Sequence, residues 1–265
     1  MPKPKDIYTQ IIEWIFRKYY QEGENEFSFD RQDIITAAND LGIKLPKNLG
    51  DVLYSFRYRK TLPEFITART SEGFEWMIRP AGRGRYTMAM AEQSLIVPSK
   101  LLAETKVLDA TPGIINKYAL NDEQALLAKR RYNRLIDIFT GLTCYSLQSH
   151  LRTAVIGLGQ IETDEIYIGV DRRGAHYALP IQAKGGNDRL GIVQIEQDFA
   201  LCSSKFPDLL CRAIAAQFME SDLIALFELE QTSEGVRVTS ERHYRLVSPE
   251  NLSVEELSEY RRRPL

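Results

Sequence analysis

The chain has 265 residues, of which 44% are hydrophobic and 26% are charged, and its formal net charge is −2 at pH 7. This length suffices for two domains with cores of ordinary size. The small net charge excludes a polycation, so any basic surface has to be local. Three cysteines without CxxC spacing argue against a zinc site. With no signal peptide and no apolar run of membrane-spanning length in the sequence, we expect a cytoplasmic protein that does not enter a membrane.

The N-terminal part of the chain has a pattern of three helices followed by a β-hairpin. Apolar residues at helical spacing predict a helix over residues 6–20. Asp30 as an N-cap and Gly42 as a stop predict a second helix over residues 31–41. A third helix follows, and then two β-type runs joined by the turn AGRG. This order is typical of a winged-helix domain, which we predict for residues 1–92.

Local charge in this region favours contact with DNA. Residues 46–85 contain eight Lys or Arg and four Asp or Glu, which gives a formal charge of +4. A winged helix places its third helix in the major groove and its wing against phosphates. The predicted DNA contacts of this domain are Lys47, Asn48, Ser55, Arg57, Arg59, Arg83 and Arg85. The alternative is a solvated helix in a structural domain, or a winged helix that contacts protein.

A long helix is predicted to begin at Asn121, with Glu123 in its first turn. Its basic run consists of Lys129, Arg130, Arg131 and Arg134. Such a run is either a solvated face or a surface that lies along a nucleic-acid backbone. A strand is predicted to follow this helix, and His150 and Arg152 near its end are further candidate DNA contacts.

Residues 159–184 have the pattern of two strands joined by a tight turn, with polar residues where the strands meet. Because side chains alternate along a strand, Glu162 and Asp164 share one face, and Gln182 and Lys184 share one face of the partner strand. Carboxylate and amide oxygens suit Mg²⁺, which polarises a phosphoryl oxygen and acidifies a bound water. A neighbouring lysine can offset charge on the reacting phosphate. The pattern predicts phosphodiester hydrolysis, with Asp164 favoured as the metal ligand and Glu162 or Glu165 as a helper.

An acid on one strand followed by (D/E/Q)-x-K at the end of the next resembles the PD-(D/E)xK nuclease superfamily, which includes restriction endonucleases. The similar part covers roughly residues 121–227. The resemblance implies Asp164 as metal-binding acid, Gln182 in the position of the second acid, Lys184 as catalytic lysine and Glu123 as a helix acid. A neutral Gln182 departs from the usual carboxylate, and the first motif is Thr-Asp rather than Pro-Asp.

The resemblance also implies a fold of the α/β (α+β) class. Residues 93–265 are then expected to form a restriction-endonuclease-like mixed β-sheet core flanked by helices, preceded by the winged-helix-like domain as a target reader. We expect a sequence-specific endonuclease similar to type II restriction enzymes. It would cut double-stranded DNA as a homodimer, with Mg²⁺ as cofactor and Mn²⁺ as a substitute. A repair, structure-selective or modification-dependent defence nuclease is one alternative, and a DNA-binding regulator with an inactive nuclease fold is another.

Overall fold

The structure is a computed structural model, and it describes residues 6–91, 95–118, 123–185, 188, 190–233 and 235–263. The side chains of Tyr58, Glu123 and Gln124 lie outside that description. Within these ranges the fold is mixed α/β, as predicted. The chain divides into two compact units, of which the first comprises the described residues up to Ile96 together with 152–162 and 191–201. The predicted domain boundary between residues 92 and 93 falls outside the described residues.

The first unit begins with helices and a small antiparallel sheet. Its elements up to Ile96 are α1 (Ile7–Tyr19), β1 (Glu26–Asp30), α2 (Arg31–Leu41), α3 (Gly50–Tyr58), α4 (Glu64–Thr67), β2 (Glu75–Pro80), β3 (Arg85–Ala91) and β4 (Leu95–Ile96). Strand β3 lies between β1 and β2 and is antiparallel to both. Phe16 on α1 packs edge-on against Trp76 on β2, with ring centroids 5.3 Å apart. Strand β1 was not predicted, although its buried Phe27 and Phe29 alternate with exposed residues.

Helix α2 shows how local chemistry sets both ends of an element. The Asp33 carboxylate accepts a hydrogen bond from the backbone N–H of Asp30 at 2.8 Å and forms an ion pair with Lys18 at 2.7 Å. Gly42 closes the helix with φ of 63°, a left-handed conformation that glycine adopts without steric cost. The predicted helix over residues 31–41 is thereby confirmed.

The rest of the chain alternates helices with long strands. The elements in order are β5 (Glu104–Leu108), α5 (Gly113–Tyr118), α6 (Glu123–Tyr132), α7 (Leu135–Thr140), β6 (Thr143–Val155), β7 (Gly159–Val170), β8 (His176–Lys184), β9 (Leu190–Gly191), α8 (Ile192–Lys205), β10 (Leu210–Cys211), β11 (Ala213–Phe218), β12 (Leu223–Thr232), β13 (Gly235–Val247) and α9 (Val254–Tyr260).

Most of these strands form one eight-stranded mixed sheet. Its order is β5-β13-β12-β11-β8-β7-β6, and the short β10 also pairs with β8. Strand β8 is antiparallel to β7 and parallel to β11. Parallel neighbours require a crossover connection, and α8 lies within it. The main core brings together Leu126 of α6, Ile136 of α7, Ile181 of β8 and Ile214 of β11.

The single long helix predicted after Asn121 is wrong, because the structure contains two shorter helices, α6 and α7. Arg134 between them has φ of 50° and ψ of 36°, a left-handed conformation that no α-helix can continue through. Asn121 itself, the predicted cap, lies outside the described residues. Residues of α6, α7 and β6 line a cleft beside this break.

Candidate functional site

The candidate site lies near the end of β8, where its regular pairing with β7 stops. Their regular pairing runs from Val170 opposite His176 to Glu165 opposite Ile181. Beyond that point, side chains of β7 form hydrogen bonds with the backbone of β8. Thr163 Oγ1 donates to the carbonyl of Ile181 at 3.2 Å, and the backbone N–H of Ala183 donates to Oδ2 of Asp164 at 2.8 Å. The Asp164 carboxylate is therefore fixed against the segment Gln182-Ala183-Lys184.

Gln182 and Lys184 project from one face of β8, and Ala183 between them projects from the other face into the main core. Both polar side chains are buried: Gln182 is 1% exposed and Lys184 is 5% exposed. The structure therefore brings together Asp164, Gln182 and Lys184, which the sequence pattern had grouped. Burial limits the number of positions that these side chains can adopt, which suits groups that have to be held ready for a reaction.

Gln217 is a neighbour of this group that sequence reasoning missed. It lies on β11 directly beside Lys184, because the parallel register pairs these two residues. Its Nε2 donates to the carbonyl of Asp188 at 3.4 Å, and its buried Oε1 has no hydrogen-bond partner within the described residues. A lone glutamine 33 positions after the lysine carries no signal in the sequence, since only the crossover places the two strands side by side.

Glu165 belongs to a different cluster. It leaves β7 on the face opposite to Asp164, because consecutive side chains of a strand alternate. Its carboxylate is fully buried and accepts hydrogen bonds from Arg130, from Arg131 at 2.5 Å and from Ser146 at 2.6 Å. These three donors use both oxygens of Glu165, so the structure does not bring this predicted metal helper to the Asp164 face.

The remaining predicted residues near the hairpin are placed as follows. Glu162, the other predicted helper, forms an ion pair with Arg152 at 3.0 Å, so a predicted metal ligand and a predicted DNA contact bind each other. His150 is exposed and has a left-handed backbone with φ of 50°. Glu123 begins α6, and its side chain lies outside the described part of the chain.

The donor set at Asp164 meets the minimum for Mg²⁺. Within the described ranges no group of three or more His, Cys, Asp or Glu side chains is placed to hold a metal ion. Asp164 offers one carboxylate, whose Oδ1 is left open by the bond to Ala183, and Gln182 offers an amide oxygen. Mg²⁺ in proteins commonly takes one or two carboxylates and completes its shell with water and substrate phosphate. The residues present therefore fit a weakly held Mg²⁺ that needs substrate oxygens.

The predicted DNA contacts of the first unit differ in accessibility. The exposed ones are Lys47, Asn48, Arg59, Arg83 and Arg85, whereas Arg57 is half-buried and Ser55 is buried. Asn48 has a local role as well, because its Oδ1 accepts the backbone N–H of Gly50 at 3.1 Å at the start of α3. Since Ser55 lies on the inner side of α3, we leave it out of any contact with a base.

Comparisons with known proteins give no assignment. No family model, no curated protein and no solved structure matches this chain. Among the described residues no helix combines the length and the apolar character needed to cross a membrane. The structure itself defines a mixed α/β protein with a large mixed sheet, in which the Asp164 carboxylate of β7 accepts a backbone hydrogen bond from Ala183, between Gln182 and Lys184 at the end of β8.

Proposed function

We propose that this chain is a Mg²⁺-dependent endonuclease of the PD-(D/E)xK type that cuts double-stranded DNA, in the manner of a type II restriction enzyme. The observation that carries the proposal is the hydrogen bond from the Ala183 N–H to Asp164. It holds a carboxylate against the Gln182-Ala183-Lys184 segment, as a site that combines a metal-binding acid with a lysine requires.

The order of elements around the site supports the same proposal. A helical segment (α6 and α7) precedes three neighbouring strands, β6, β7 and β8, and α8 then leads to β11 beside β8. The acid lies on the middle strand of the three and the lysine at the end of the third. This arrangement is similar to the core that restriction endonucleases share, and the similarity supports the proposal.

Each residue of the site has a proposed part in hydrolysis. Asp164 and Gln182 would hold Mg²⁺, which when bound supplies a Lewis acid for the phosphate and a more acidic water. Lys184 would donate to a phosphate oxygen and offset the negative charge that develops during attack. Gln217, beside Lys184 in the sheet, would offer an amide oxygen that orients the ammonium group. No histidine is needed for these roles.

The first unit is the proposed target reader. Its helices α1 to α3 and the antiparallel order β1-β3-β2 support a winged helix, with Arg83 at the tip of the β2–β3 hairpin. Lys47 and Arg59 near the two ends of α3, together with Arg85 on the hairpin, are exposed and would contact DNA. Cutting both strands needs two active sites, which a homodimer would provide.

The direct test is plasmid cleavage by the purified chain in Mg²⁺. We expect discrete fragments from the wild-type protein and from Lys205→Ala, a matched control at an exposed lysine at the end of α8. We expect no fragments from Lys184→Ala. Sequencing the fragment ends then tests specificity. A shared terminal sequence supports restriction-type recognition, and random ends contradict it. Absence of any cutting by the wild-type protein would overturn the nuclease proposal.

A second candidate is a DNA-binding regulator with an inactive nuclease fold. It is favoured by the donor set, because the described residues supply one carboxylate at the site and Gln182 stands where a second is usual. This candidate predicts that the wild-type protein shifts duplex DNA in a gel with or without Mg²⁺ but never cuts it. Cleavage that disappears in Lys184→Ala excludes it.

A further inference from the structure

A cleft of about 330 Å³ lies between α6, α7 and β6. The residues that line it are Arg130, Arg131, Arg134, Ile136, Asp137, Cys144, Tyr145, Ser146 and Tyr167. Tyr167 shares a strand face with Glu165, so the cleft opens on the side of the sheet opposite to Asp164. It is therefore distinct from the site proposed for catalysis, although both sites include residues of β7.

The cleft has an excess of positive charge. Arg130 and Arg131 share the carboxylate of Glu165, and Arg134 pairs with Asp137. Three guanidinium groups thus face two carboxylates, which leaves one positive charge uncompensated. The side chains of Arg131 and Arg134 are 47% and 63% exposed, so both can reach a ligand that enters from solvent.

Arg130 points to a missing acceptor. Its side chain is fully buried, yet Nε and Nη1 have no hydrogen-bond partner within the described residues. A buried donor without a partner costs free energy comparable to a lost hydrogen bond, so native structures nearly always satisfy it. The ligand that would satisfy Arg130 is a hydrogen-bond acceptor, and the surplus charge selects an anion.

The backbone at Arg134 strengthens this reading of the cleft. A left-handed conformation at a residue with a Cβ costs on the order of 1 kcal/mol or more, and such strain persists mainly where a function needs it. Here the left-handed conformation separates α6 from α7, and the Arg134 side chain lines the cleft. A glycine or asparagine would make the same turn more easily but would supply no guanidinium.

We propose that this cleft binds a non-scissile phosphate of the nucleic-acid strand that is bound at Asp164, an inference that rests on the proposed function. Planar guanidinium groups match the paired oxygens of a phosphodiester, and Tyr145 on β6 supplies a hydroxyl group. One phosphate cannot touch both Asp164 and the cleft, because they lie on opposite faces of β7. Burial raises the pKa of the Cys144 thiol in the cleft to about 11, so this thiol stays protonated at neutral pH.

The test measures duplex DNA binding by fluorescence anisotropy in EDTA, where no Mg²⁺-dependent cutting occurs. The variant is Arg131→Gln/Arg134→Gln, and the matched control is Arg173→Gln/Arg237→Gln, two arginines that are 75% and 67% exposed away from the cleft. We expect the variant to bind about tenfold more weakly at moderate salt and to lower the slope of log affinity against log salt by about two. The control should retain wild-type affinity and slope.

Equal losses in variant and control, or an unchanged salt slope in the variant, would overturn the proposal. A second arm follows the rise in melting temperature caused by inorganic phosphate. If Arg131→Gln/Arg134→Gln abolishes that rise but leaves DNA affinity unchanged, the cleft takes free phosphate and the proposal fails. Circular dichroism of each variant verifies that it is folded.

Failure of this inference is distinguishable from failure of the nuclease proposal. If the wild-type protein cuts DNA and Arg131→Gln/Arg134→Gln binds and cuts it equally well, the nuclease proposal stands and the cleft proposal fails. If the wild-type protein binds DNA through the cleft but never cuts it, the nuclease proposal fails and the cleft remains a nucleic-acid contact.

Discussion

Replacing Glu165 with glutamine tests the role of the buried charge cluster on β7. Glu165 and Arg130 are both fully buried, and Arg131 and Ser146 complete the bonds to the carboxylate. The glutamine leaves Arg130 charged and buried without its carboxylate partner. Removing one partner of a buried ion pair costs about 3–5 kcal/mol. For a urea m-value of about 2 kcal/mol/M, this loss lowers the unfolding midpoint by roughly 1.5–2.5 M.

Urea unfolding followed by far-UV circular dichroism measures that shift. The two tryptophans of the chain, Trp14 and Trp76, both lie in the first unit, so their fluorescence reports that unit separately. The control is Glu230→Gln, which breaks an exposed pair with Arg237 and should cost less than about 1 kcal/mol.

A midpoint for Glu165→Gln no lower than that of the Glu230→Gln control would refute the reasoning. The double variant Arg130→Met/Glu165→Gln provides a further test. It removes the uncompensated charge together with its partner, so it should regain part of the stability that Glu165→Gln alone loses. No recovery would mean that the cost arises from packing and not from charge.

Three other outcomes follow from the structure. Gln182→Glu should keep or increase Mg²⁺-dependent plasmid cutting, because it adds a carboxylate at the metal; loss of cutting with the fold intact would contradict the assigned metal shell. Gly169→Ala should destabilise the protein by about 1–3 kcal/mol in urea unfolding, since its Cβ would approach Leu179 Cδ1 to 2.8 Å in the packed core. Hydrogen bonds, first that from the Ala175 N–H, lower the pKa of Asp171 to about 2. The contribution of Asp171 to stability is therefore complete above the unfolded pKa near 4 and is lost toward pH 2. The melting temperature of Asp171→Asn should fall less steeply with decreasing pH than that of the wild-type protein. Equal slopes for the two proteins would contradict this prediction.

Local chemistry explains what could be predicted from the sequence. The ends of α2 follow from Asp30, Asp33 and Gly42, all within one turn of the helix termini. Strand β8 ends at Lys184, the last residue of the predicted pair of strands. The contact between Asp164 and the Gln182-Ala183-Lys184 segment follows from hairpin geometry, because two adjacent strands joined by a short turn can meet only in a few registers.

Tertiary placement explains what could not be predicted. Glu165 is separated from Arg130 by 35 positions, and Gln217 meets Lys184 through a crossover, so sequence spacing carries no information about either pair. Ile166 and Tyr167 face opposite sides of β7, yet both are buried, because β7 is an interior strand of the large sheet. The break between α6 and α7 occurs at an arginine, where composition predicts a continuous helix.

The most direct test of the account is the cleavage rate of plasmid DNA by the wild-type chain and by Asp164→Asn in Mg²⁺. Asparagine keeps an oxygen that can accept the Ala183 N–H, so the hairpin should stay intact while the negative charge at the metal position is lost. The account predicts Mg²⁺-dependent cutting by the wild-type protein and a rate lower by about 100-fold or more in the variant. Equal rates for the two proteins, or no cutting by either, would contradict it.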